Sequence, residues 1–138
     1  MSLFGVFDVA GSAMSAQTIR LNTVSSNLAN ADTVSSSIDR TYRARQPVFA
    51  TEFQAFRDNP AQVGVRVKGI VESKEELRMR YEPSHPKAND KGYIFLPNVN
   101  VVEEMANMIS ASRSYQNNVE VMNTSKQLLQ ATLRLGQQ

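Results

Sequence analysis

Cysteine and tryptophan are absent from this 138-residue chain, and histidine occurs once. Without cysteine there is no disulfide, no thiolate zinc site and no thiol nucleophile. Proline is confined to positions 47–97, so neither end carries the strongest helix breaker. No apolar run reaches the ~20 residues that a membrane-crossing helix needs. The N-terminal M-S-L-F-G-V-F-D-V-A is apolar, yet no Lys or Arg precedes it and Asp8 interrupts it. It does not read as a cleaved secretory signal; the expectation is a chain that stays in the cytoplasm or leaves by a route without one. Charge is scarce too. Only 20% of residues are charged and the net charge is +2, against roughly 25% charged in an average soluble domain. That gives nucleic-acid binding weak support.

What is present falls into three segments, in a length that suits one domain. In the first, roughly 3–31, Phe7, Ala10, Met14, Gln17, Leu21, Val24, Leu28 and Ala31 alternate at spacings of three and four. That is the a/d seam of a coiled coil. In the third, about 101–135, Met105, Met108, Ser112, Tyr115, Val119, Met122, Lys126, Leu129 and Leu133 repeat the spacing. Asn100 followed by Glu103 signals its start and Gly136 its end. Such a helix is about 50 Å long. Core packing is the first reading of Met105, Met108 and Met122, and their adaptability also suits contacts between non-identical subunits.

The middle, 39–97, holds eleven of the fifteen basic and eight of the thirteen acidic residues. Val63, Val65, Val67 and Val71 alternate with Gly64, Arg66 and Lys68, which predicts a half-buried strand. Tyr42–Phe49 and Tyr93–Leu96 are further strand candidates. Asn59-Pro60, Glu82-Pro83, His85-Pro86 and Lys91-Gly92 mark turns. The expected fold is therefore α+β: two long terminal α-helices packed as an antiparallel coiled-coil-like pair, with a small antiparallel β region and loops between them. The expected division is 1–38 plus 98–138 as a terminal-helix domain and 39–97 as a β-rich middle.

Residues 1–38 contain only Asp8, Arg20 and Asp32 as charged side chains, and residues 101–138 contain six. A solitary amphipathic helix puts Lys, Glu and Arg on its wet face. Here that face carries Ser12, Ser15, Thr18, Asn22, Ser25 and Asn27. Small uncharged polar groups are covered by another protein surface at modest cost if they find hydrogen bonds, whereas charges are not. The helices read as prepared for contact on more than one face.

Chemistry finds little foothold. His85 sits between prolines in a turn and reads as part of a rigid loop rather than as a ligand or base. Glu75-Glu76 and Glu103-Glu104 are sequence neighbours, which do not face each other on a helix; Glu103 suits the cap and the helix dipole. Arg40, Arg43 and Arg45 with Tyr42 form a basic-aromatic cluster that Asp39 and Glu52 dilute, so a strand edge or subunit contact is favoured over nucleic acid. Gly64–Gly69 lacks phosphate-loop spacing. No catalytic residue, metal ligand or cofactor is expected.

N-L-A-N-A-D-T near the N-terminus, Y-E-P-S-H-P-K-A-N-D-K-G-Y (81–93), P-N-V-N-V-V-E-E-M (97–105) and S-Y-Q-N-N-V-E-V-M-N-T (114–124) together resemble the rod proteins of the bacterial flagellar basal body. The likeness covers nearly the whole chain. Where many of those relatives carry Thr-Pro-Gly-Tyr after the first Asn-rich block, this chain has Asp32 to Ser37. The resemblance implies a structural subunit of the proximal rod, part of the drive shaft that transmits torque across the periplasm, exported by the flagellar type III apparatus on an uncleaved signal. It implies an inner tube of terminal helices and an outward-facing middle. Implied neighbours are the FliE adaptor, the rod proteins FlgB, FlgF and FlgG, and copies of the chain itself. Subunit packing is then expected at Phe7, Met14, Leu21, Val24, Leu28, Asn30, Met105, Met108, Tyr115, Val119, Met122, Leu129 and Leu133, and outward lateral contacts at Tyr81, His85 and Tyr93. The alternative role is a soluble coiled-coil adaptor associated with flagellar export.

Overall fold

The computed structural model describes residues 3–52 and 63–136; the Asn59-Pro60 turn lies outside them. In chain order come α1 (Leu3–Ala29), a 3-10 turn (Ile38–Arg40), β1 (Arg45–Glu52), β2 (Gly64–Glu72), β3 (Arg78–Tyr81), β4 (Tyr93–Leu96) and α2 (Val101–Leu135). α1 and α2 pack antiparallel, with the Arg20 guanidinium donating to Asn107 Oδ1 at 3.0 Å across the pair. From that contact α1 runs back roughly 17 residues to Leu3 and α2 runs on roughly 28 to Leu135, so at 1.5 Å per residue α2 extends past Leu3 by about 16 Å.

α2 begins where the sequence signals it. The Asn100 side chain accepts from the Val102 and Glu103 amides at 3.1 and 3.4 Å, satisfying donors that the first turn leaves without a partner. It ends at Gly136, whose amide donates to Thr132 O at 3.1 Å from ordinary right-handed backbone.

The β region is two separate antiparallel pairs, β1–β2 and β3–β4. β1 starts three residues later than Tyr42, because the backbone at Ala44 and Arg45 is taken by side chains of Asn98 and Asn27. The β1–β2 register shifts between Val48 and Phe49, where Lys68 is the extra residue, a bulge that increases the local twist. The ribbon lies along α1: the Val65 amide donates to Ser12 Oγ at 3.1 Å, and that hydroxyl donates to Val9 O at 2.8 Å. β3 was not foreseen in R-M-R-Y. All four of its residues are exposed, and its extension comes from pairing with β4 rather than from burial.

The serine-rich run after α1 adds a bridge to β4, Ser35 and Phe95 exchanging amide-to-carbonyl bonds at 3.0 and 2.9 Å. A small core of Ala31, Ala44 and Val99, with Tyr42 packed against it, joins the end of α1, the start of β1 and the approach to α2. P-N-V-N is its clamp. Pro97 and Val99 are buried, and Asn98 accepts from Ala44 N at 2.8 Å while donating to Glu75 O at 3.0 Å.

Candidate subunit interface

The α1 seam is covered along its length. Ala10, Val24 and Ala31 are buried, and Phe7, Met14, Leu21 and Leu28 are half-buried. Gln17, the polar member of that seam, has its Oε1 atom buried without a hydrogen-bond partner. The α2 seam is offset. Glu104, Ala111 and Ser125 are its buried residues. With half-buried Asn118 they recur every seven residues, and Met108, Met122 and Leu129, also half-buried, follow four residues behind. Half of the expected α2 seam therefore lies in place, and the other half falls one residue away. Met105 and Leu133 are exposed, Tyr115 sits at the rim, and Val119 is half-buried. Size is one physical reason: Ser125 lets the helix backbones approach in a way that Lys126 in its place would not.

The turn of α2 near its start, and its length beyond Leu3 toward its end, leave large apolar side chains outside. Val102, Met105 and Ile109 form one strip near its start, and Val121, Leu128 and Leu135 form another, seven residues apart, toward its end. Val102 is 76% exposed, Leu128 57% and Leu135 75%. No described part of the chain covers them. The outer face of α1 is the opposite in character. Asp8, Ser15, Thr18, Asn22, Ser25 and Ala29 are exposed at helical spacing, small and, Asp8 apart, uncharged. One chain thus carries an uncovered apolar strip on α2 and a small, polar, nearly uncharged strip on α1.

Asn27 is the residue that sequence reasoning placed on the wrong face. It is fully buried. Its Oδ1 accepts from the Arg45 amide and the Tyr42 hydroxyl, both at 2.9 Å, and its Nδ2 donates to Arg45 O at 2.8 Å. It thus pairs with Arg45 as a neighbouring strand would, fixing where β1 leaves α1. A polar residue among Ser and Asn gave no sign of this; the N-L-A-N pattern was the available signal. Asn30 does local work instead, its Nδ2 donating to Ser26 O at 2.8 Å as the helix ends. Ser12, also read as wet, is half-buried under the ribbon.

At the ends of the loop between β3 and β4 Tyr81 and Tyr93 stand edge to face with ring centroids 5.2 Å apart, and both are exposed. Gly92 takes φ +80°, and a side chain there would bring its Cβ within 2.8 Å of the Tyr81 ring, so only glycine closes this turn without strain. His85 Nδ1 accepts from the Lys87 amide at 3.0 Å, a structural bond within the loop. Arg43 is spent on the Ser73 and Glu75 carbonyls, and Arg45 on Glu72. Among the described residues no cluster of potential metal ligands occurs, and no helix is long and apolar enough to cross a membrane.

Comparison with known proteins bears on this surface. Two family profiles match, one described as "Flagella basal body rod protein" over residues 7–34 and one as "Flagellar basal body rod FlgEFG protein C-terminal" over residues 91–135. These matches fall on α1 and α2. The flagellar basal-body rod protein FlgC of Yersinia enterocolitica is 50% identical over 99% of this chain and 100% of its own length. The chain belongs to the FlgC family of flagellar basal-body rod proteins. Its similarity to FlgC of Escherichia coli O157:H7 is likewise 50%, and to FlgC of Borreliella burgdorferi 37% over 99% of each chain. Family membership makes the chain a structural component of the basal-body rod, associated with other rod components.

Proposed function

We propose that this FlgC-family chain works by packing and carries no catalysis: it is a subunit of the proximal rod that passes torque through buried helix contacts. The observation that carries this reading is the uncovered apolar face of α2 beside the small, nearly uncharged outer face of α1. α1 and α2, with 1–38 and 98–138, form the inner layer, and 39–97 faces outward. The neighbours are copies of the chain, FlgB, FlgF, FlgG and the FliE adaptor, reached after export through the flagellar type III apparatus. The expected packing residues remain those of the two seams together with Asn30, and Tyr81, His85 and Tyr93 meet neighbours laterally.

Leu128→Asp tests the reading, because Leu128 faces away from α1 and its replacement spares the intrachain seam. The variant monomer should melt within a degree or two of wild type, while cells carrying it lose motility and the chain is missing from purified basal bodies. Normal swimming with Leu128→Asp would sink the proposal.

A further inference from the structure

Glu104 lies in the first turn of α2 and is 5% exposed, yet its Oε2 atom is buried with no hydrogen-bond partner among the described residues. It borders a cleft of about 350 Å³ between α1, β1 and α2, with Arg20, Val24, Arg45 and Phe49 among its walls. The basic and phenolic groups around it make hydrogen bonds or ion pairs with other residues. On α1, Arg20 donates to Asn107 Oδ1 at 3.0 Å. Ahead of β1, the Tyr42 hydroxyl donates to Asn27. On β1, Arg45 pairs with Glu72 of β2 at 3.2 Å and stacks 5.4 Å from the Tyr42 ring centre. On α2 itself, Glu103 is a second carboxylate. The helix dipole favours negative charge here, but Asn100 already occupies the Val102 and Glu103 amides.

An ionised carboxylate in this place is desolvated without a dedicated counter-ion, whereas the neutral acid fits. Burial is the main influence, raising the Glu104 pKa above the ordinary range. A hydrogen bond from the Asn27 side chain opposes it, Glu103 adds to the rise and Arg20 opposes it.

We infer that Glu104 is an acid-set lock on the junction of α1, β1 and α2: protonated it holds the junction closed, ionised it loosens it. A carboxyl raised in the folded state contributes stability in full below its unfolded value of about 4.3. That contribution is lost as pH rises through the higher folded value. The free chain is therefore loosest at neutral pH and above, and tightens on mild acidification. A variant at Glu104 separates the lock from the pH dependence of the rest of the chain.

Thermal unfolding of the full chain, followed by far-UV circular dichroism from pH 5 to 8 at fixed ionic strength, compares wild type with Glu104→Gln. The expected result is a wild-type midpoint that falls as pH rises, and a Gln variant with a flatter profile and a higher midpoint at pH 8. Equal slopes in the two proteins, or a lower midpoint for the variant at pH 8, overturn the inference. If the variant does not fold, the side-chain ¹³C carboxyl titration of Glu104 in wild type decides: a midpoint above the ordinary glutamate range supports the lock, and one within or below it removes it.

Discussion

α1 and α2 share a three-four spacing of apolar residues but meet different surroundings. α1 touches α2 along one side and the β1–β2 ribbon along another, through Ser12 and the Val65 amide. It leaves only a small, polar strip to solvent. α2 has α1 on one side, and toward its end no described residue covers Val121, Leu128 and Leu135. The lesson is that a low charge count has different meanings in the two helices. In α1 much of it reflects cover supplied by the chain itself, at Asn27 and Ser12. In α2 it marks a face that no described part of the chain covers, the face on which the proposed function rests.

This contrast is open to direct attack. The largest effect is expected at Asn27→Ala on α1, which strips partners from the Arg45 amide and carbonyl and from the Tyr42 hydroxyl in a buried site. Urea unfolding should show a loss of about 3 kcal/mol, whereas Asn30→Ala, four residues from the Ser26 carbonyl it bonds, should cost under about 1 kcal/mol. Equal losses would mean that Asn27 does not tie the ribbon to α1. Next comes Ala111→Leu, which forces a large side chain into a fully buried position of α2. A cost of about 2 kcal/mol is expected, against nearly none for Ala106→Leu on the exposed side. A neutral Ala111→Leu would show that the seam runs through Ser112 after all. The smallest effect belongs to Ile109→Gln on the outer face of α2: within about 0.5 kcal/mol of wild type in the monomer. A larger loss would show that this face is already covered in the free chain.

The ends of α2 were legible in sequence because their signals are local: Asn100 can reach the first-turn amides whatever lies around it. The body of β2 was legible from alternation, and β4 from a short aromatic and apolar run after the Lys91-Gly92 turn. β3 was not, since R-M-R-Y is exposed throughout and is extended only through its partner. The outer half of the α2 seam was misplaced for a related reason. Spacing fixes a stripe's period, but Met105 and Ala111 lie on neighbouring stripes of one period, and hydrophobicity favoured the wrong one. Asn27 was read as wet because composition does not distinguish a solvated amide from one that pairs with a strand.

The sequence by itself therefore determined two long helices, the β-rich middle and the scarcity of charge, since each follows from local preference or from residue supply. Only the tertiary structure decided which face of α2 meets α1, that Asn27 holds the start of β1, and that one carboxyl oxygen of Glu104, Oε2, is buried without a hydrogen-bond partner among the described residues. Those are questions of fit between surfaces distant in sequence, where the size of a side chain and the geometry of its hydrogen bonds outweigh its hydrophobicity.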